Sequence, residues 1–209
     1  MRLDLLDRSR LEAIFAAMDE KGSTDSRDHQ ILCIFGAAAI LLYGSFGRQT
    51  QDIDIWRPAS RLNDRALKQL SQLAGLDYNP TEIDPARAYL QVVDDGVVRL
   101  PTFNKESFTW ASGEQSQTVW SGDTITVVAP PPAIVAAAKM VRAEPQDIED
   151  VIFLMNAKAI TVSQIARAIR YFPLDARERA EENLVLLELA TPSKTRSMSR
   201  DRSNDGYGR

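Results

Sequence analysis

Hydrophobic and polar positions follow two periods along this chain, and the change from one to the other marks its elements. Leu3, Leu6, Leu11, Ile14, Phe15 and Met18 recur close to helical spacing, so a packing helix is expected over 3–18, with a loop over 21–26 by composition. The apolar run Ile31-Leu32-Cys33-Ile34-Phe35 then meets the small residues Gly36 and Ala37, and a short apolar helix is expected over 37–43. After a Gly/Ser-rich loop, Asp52-Ile53-Asp54-Ile55-Trp56 alternates at the two-residue period of a strand. Asp52 and Asp54 therefore point to one face, and Ile53 and Ile55 to the other. Arg57-Pro58 ends that strand, because proline cannot donate to a ladder.

Farther along, Asn63 is placed to cap a helix over 64–74, with Ala66, Leu67, Leu70 and Leu73 inward and Gly75 as its stop. An irregular connection with Glu82 and Asp84 follows. Residues 89–93 and 97–100 flank Asp94-Asp95-Gly96, a hairpin signal, and 124–128 reads as another strand after a mixed stretch over 107–119. Pro130-Pro131-Pro132 hands the chain to a helix over 133–142, in which Lys139 and Arg142 lie one turn apart. Pro145 breaks it. A second helix starts at Gln146 with acidic residues in its first turn, and further helices are expected over 161–172 and 176–189. The expected organisation is an α/β core over 1–130, a helical part over 131–190 closing a cleft, and a disordered tail over 191–209.

Composition narrows the function classes. With 209 residues, 44% hydrophobic and 26% charged, the chain reads as a soluble globular protein with one main domain. Its longest apolar run is broken by Gly36 and is too short to span a bilayer, so no membrane partner is expected, and no secretory leader pattern opens it. The single cysteine, Cys33, fits a buried thiol in a reducing cytoplasm. The single histidine, His29, removes internal Ser-His-Asp hydrolysis and His-rich zinc sites. A net charge of -4 argues against a dedicated duplex-DNA binder and leaves RNA at a local basic patch open.

The candidate chemistry centres on Asp52 and Asp54. Two carboxylates on one strand face repel each other, and a divalent cation resolves the repulsion; Mg²⁺ suits one or two carboxylates plus substrate phosphates. Gly44, Ser45 and Gly47 let backbone amides come close to an anion, and Arg48 adds a guanidinium suited to phosphate. These residues propose a site for a metal-bound nucleoside triphosphate. The plainer alternative is a half-exposed strand with solvated aspartates, and for Asp147 and Asp150 a helix cap with an acidic solvated face.

Two motifs carry a family resemblance over roughly residues 30–156. Gly36-Ala37, Ala39, Arg48-Gln49-Thr50 and Asp52-Ile53-Asp54 resemble the signature of the nucleotidyltransferase superfamily with the DNA polymerase β-like fold, in particular its AbiEii-toxin-like branch. Lys139 and Arg142, followed by Asp147 and Asp150, resemble the second signature of that branch. The resemblance implies an α/β (α+β) fold: a nucleotidyltransferase-like mixed β-sheet with flanking helices and a C-terminal helical part. It implies Asp52, Asp54 and Lys139 as catalytic residues, with Mg²⁺ on Asp52 and Asp54. Nucleotide contacts would come from Gly36, Ala37, Arg48, Thr50, Lys139 and Arg142, with Asp147 and Asp150 in support. The implied activity is Mg²⁺-dependent transfer from an NTP to an RNA (tRNA) or protein hydroxyl, in a toxin–antitoxin or phage-defence setting with an antitoxin partner. The second residue of the glycine pair is alanine here, which narrows the approach to phosphate. Relatives usually carry a third carboxylate on a later strand, and none stands out: Asp94 and Asp95 suit a turn, and Glu82 and Asp123 have no motif. That gap keeps open a catalytically inactive nucleotide-binding or interaction module.

Overall fold

The computed structural model describes residues 4–25 and 29–190. In chain order, α1 (Arg8–Asp25), β1 (Gln30–Cys33), α2 (Gly36–Leu42), β2 (Asp52–Trp56), α3 (Asp64–Leu73), β3 (Asp77–Tyr78) and β4 (Tyr89–Val93) make the first half. There follow β5 (Phe103–Asn104), β6 (Thr109–Trp110), β7 (Gln117–Ser121) and β8 (Ile125–Ala129), then α4 (Pro132–Met140), α5 (Pro145–Ala157), α6 (Val162–Ile169) and α7 (Leu174–Ala190). This is the mixed α/β architecture expected, with small sheets flanked by helices.

The alternation in β2 decides its placement. Ile53 and Ile55 are fully buried, while Asp52 and Asp54 stay half-buried on the opposite face. β2 pairs in parallel with β4, setting Asp52 beside Tyr89 and Asp54 beside Gln91, and β3 takes the other edge of β4. A second sheet has β8 at its centre, parallel to β1 and antiparallel to β7. A single antiparallel bridge from Ile34 to Ile55 links the two sheets, Ile31 bridges to Arg61 in the connection after β2, and Phe35 N–H donates to the Asp54 carbonyl at 3.1 Å. That bond ties the turn before α2 to the strand carrying the aspartates.

The helical part is built round α4. Ala133, Ile134, Val135, Ala136, Ala137 and Met140 are all buried, so the helix is apolar on every side and packs against α2, α5, α6 and α7. One charged side chain, Lys139, lies in it, and a charge in such surroundings must be paired. Thr161 caps α6 with a reciprocal bond from Gln164, which sets the start of that helix. No helix among the described residues is long and apolar enough to cross a membrane.

Five expectations change. The first helix starts at Arg8, and Leu6 instead bridges to Thr50. It then runs through Lys21 and Gly22, where a loop is expected. A Cβ at Gly22 would meet Thr124 Oγ1 at 2.6 Å, so this glycine serves close packing rather than chain breaking. Just before it, the Asp19 carboxylate accepts from the backbone N–H groups of Asp123 (3.0 Å), Thr124 (2.7 Å) and Ile125 (2.9 Å), locking the helix onto the turn into β8. The hairpin over 89–100 does not form. β4 is central, with both edges taken, so residues 97–100 have no free edge to pair with. Asp94 turns to Arg57 instead, at 2.7 Å. On α3, Leu73 is 66% exposed, because it lies off the stripe set by Leu67 and Leu70, and Ser71 is buried there instead. Last, α7 starts at Leu174 rather than at 176, with Asp175 in its first turn. Leu3, Ser26 and the tail over 191–209 fall outside the described residues.

Candidate active site

A cavity of about 500 Å³ opens between β2, the turn before α2, and helices α4 and α5. Asp52, Asp54, Gly36, Ala37, Arg48, Thr50, Lys139, Arg142 and Asp147 all line it, so motifs about ninety residues apart come together at one cleft. Asp150 stands behind this wall, in contact with Lys139.

On the strand side, Thr50 Oγ1 donates to Asp52 Oδ1 and so fixes the orientation of that carboxylate. Burial and the neighbouring Asp52 charge push the Asp54 carboxyl up to about 7, partly offset by the charge of Lys139. Gly36 has φ +65°, and a Cβ there would come 3.1 Å from Asp54 Oδ2. The glycine is therefore required twice: by its left-handed backbone and by the approach to Asp54.

The opposing wall is cationic and held in place. Lys139 Nζ lies 3.0 Å from Asp147 Oδ1 and 2.8 Å from Asp150 Oδ2. Arg142 grips the fully buried Asp147 with two bonds, Nε to Oδ2 at 2.7 Å and Nη2 to Oδ1 at 2.9 Å. Asp147 also accepts from Glu144 N–H at 3.3 Å, capping α5. Burial acts to raise the Asp147 carboxyl, but hydrogen bonds and charges from Arg142 and Lys139 win and hold it below its ordinary value. Arg48 reaches Asp150 Oδ1 at 3.4 Å, and its Nε is buried without a hydrogen-bond partner. Glu144 lies 3.5 Å from Arg142 as well, so three cations and three carboxylates share this wall, and Lys139, Arg142 and Arg48 line the cavity opposite Asp52 and Asp54.

The donor set fits a divalent cation of the Mg²⁺ type. Asp52 and Asp54 supply hard oxygens from one strand face, and among the described residues neither is ion-paired with a lysine or arginine. Among the described residues no cluster of three or more His, Cys, Asp or Glu forms a complete protein cage. Such a pair suits an ion that takes its remaining ligands from substrate phosphate and water.

The sequence of one family model, described as "Nucleotidyltransferase of unknown function (DUF6036)", matches residues 9–171. The chain belongs to this nucleotidyltransferase family. The match spans the site residues from Gly36 to Asp150. No curated protein matches the chain.

For this family member, two features of the site differ from the sequence reading. The amides of Gly44 and Ser45 do not face the carboxylates; they donate to the Leu41 and Ile40 carbonyls at 2.9 and 3.3 Å, closing the end of α2. Glu82 and Asp123 do not line the cavity. The positions flanking the acidic pair belong instead to Tyr89 and Gln91, which register places beside Asp52 and Asp54. Burial, then the charges of Asp52 and Asp54, push the Tyr89 phenol up. Sequence gave no sign of this pairing, because a parallel neighbour is set by chain topology. The apolar wall of the cavity, Val97, Val98, Leu100 and Val135, was likewise missed, its first three residues reading as the second strand of a hairpin.

Proposed function

We propose that the protein is a Mg²⁺-dependent nucleotidyltransferase that moves a nucleotide from an NTP to a hydroxyl of RNA (tRNA) or protein. One observation carries this reading: Asp52 and Asp54 face Lys139, Arg142 and Arg48 across a single cavity. The acceptor oxygen attacks the α-phosphorus, the bond to the β-phosphate bridging oxygen breaks, pyrophosphate leaves and the hydroxyl proton is released. A bound Mg²⁺ supplies charge neutralisation at the phosphates and a fixed point for their alignment. Asp52, oriented by Thr50, and Asp54 hold that ion. Lys139 and Arg48 meet the charge that accumulates on the leaving pyrophosphate, and Asp147 and Asp150 keep Lys139 aimed into the cleft. Val97, Val98 and Val135 give the nucleobase an apolar wall. The paired motifs support placement in the AbiEii-like branch, and with it a cytoplasmic toxin countered by an antitoxin.

A second reading, an inactive nucleotide-binding or interaction module, is favoured by Gln91, an amide where a carboxylate would stand beside Asp54. Transfer of label from each α-³²P NTP into total RNA and into protein separates the two. Incorporation by the wild type, lost in Asp52→Ala and Lys139→Ala, is the expected result. Nucleotide binding without any transfer would leave only the module.

A further inference from the structure

A second cavity, of about 290 Å³, lies on the other side of Arg48, between the turn after α2 and one face of α5. Phe46 stands at its rim and is 94% exposed, in a turn bounded by Gly44 (φ +106°) and Gly47 (φ +79°). Gln146, Glu149 and Phe153 line the facing wall at i, i+3 and i+7 of α5, so they share one face. Gln146 Nε2 donates to Glu149 Oε2 at 3.0 Å, which orients both side chains. Arg48 lines both cavities.

We propose that this second cavity binds an unpaired nucleobase, with Phe46 as its stacking platform. The proposal rests on the transferase reading and places the acceptor next to the transfer site. Exposed aromatic rings and glutamine amides are the chemistry of base faces and base edges. Glu149 lines the same space; its carboxylate repels phosphate and accepts from the amino group of a base, so the base enters and not the backbone. Arg48, whose buried Nε lies 3.4 Å from Asp150 Oδ1, is the residue through which the base cavity adjoins the transfer site. A docked protein side chain would call for an apolar pocket, which this mixed lining does not supply.

The test is fluorescence anisotropy of a labelled single-stranded RNA 12-mer with EDTA present, so that transfer plays no part. Stacking on one aromatic ring predicts a loss of about 5- to 160-fold in Phe46→Ala. Phe46→Trp retains binding and Phe46→Leu does not, while calorimetric NTP binding is unchanged in all three. Competition by nucleoside monophosphates names the source: displacement of the 12-mer means a free nucleotide uses the cavity, and no displacement means a strand does. Unchanged affinity in Phe46→Ala, full affinity in Phe46→Leu, or no RNA binding by the wild type each overturns the proposal. The two readings fail separately. Loss of NTP binding in Asp52→Ala with RNA binding indifferent to Phe46 removes only the base cavity, whereas Phe46-dependent RNA binding without label transfer removes only the transferase.

Discussion

Asp147→Asn removes a charge while keeping shape, at a side chain that is 0% exposed and receives bonds from Lys139, Arg142 and its own helix start. Breaking a buried ion pair costs about 3–5 kcal/mol. Two features reduce that here. Lys139 keeps Asp150 at 2.8 Å, and the Arg142 side chain, 61% exposed, can turn to water. The expected loss is therefore about 2–3 kcal/mol, or about 4–12 °C in Tm for a chain of this size. The pH dependence follows from the lowered carboxyl: its contribution is present above the ordinary value of 3.8 and is lost as pH falls through the lower folded value. Urea unfolding of both proteins at pH 7 and through the acid range measures the difference. A loss below about 1 kcal/mol at pH 7 would refute the ledger. So would a loss that persists undiminished at the acid end, because it would then owe nothing to the charge.

Asp54→Asn has the opposite sign. The folded carboxyl is raised to about 7, so its burden on stability grows as pH rises from about 4 to about 7. Discounted for partial exposure, the asparagine protein gains about 1–2 kcal/mol at pH 8 without metal, and thermal melts across pH show the gain vanishing near pH 4. Equal Tm values at pH 8 would mean that neither burial nor the Asp52 charge weighs on the Asp54 carboxylate. Gly36→Ala places a side chain at φ +65° and 3.1 Å from Asp54 Oδ2, for an expected loss of about 1–2 kcal/mol in chemical denaturation. A neutral result there would show that the turn relaxes freely.

Much of this site was legible because its chemistry breaks local patterns. Aspartates alternating with buried isoleucines, and a lysine inside an all-apolar helix, are placements that packing alone does not favour. The short helix α2, the cap at Asn63 and the triple proline before α4 were legible for the same local reasons. Pairing was not. The Asp94-Asp95-Gly96 turn satisfies every local rule for a hairpin, yet β2 and β3 already occupy β4, and only chain topology decides that. Gly22 misled for a related reason: its function is to let Thr124 approach, a contact about a hundred residues away.

The helical wall also explains why the cleft stays open toward Asp54. A lysine amine in an apolar helix seeks the nearest carboxylate, and Asp54 is close enough to feel its charge. Asp147 and Asp150 bind the amine first, at 3.0 and 2.8 Å. Under the proposed chemistry this competition keeps Asp52 and Asp54 free for a cation and leaves the Lys139 charge on the far side for phosphate. The second motif thus serves the first by holding its counter-charge away.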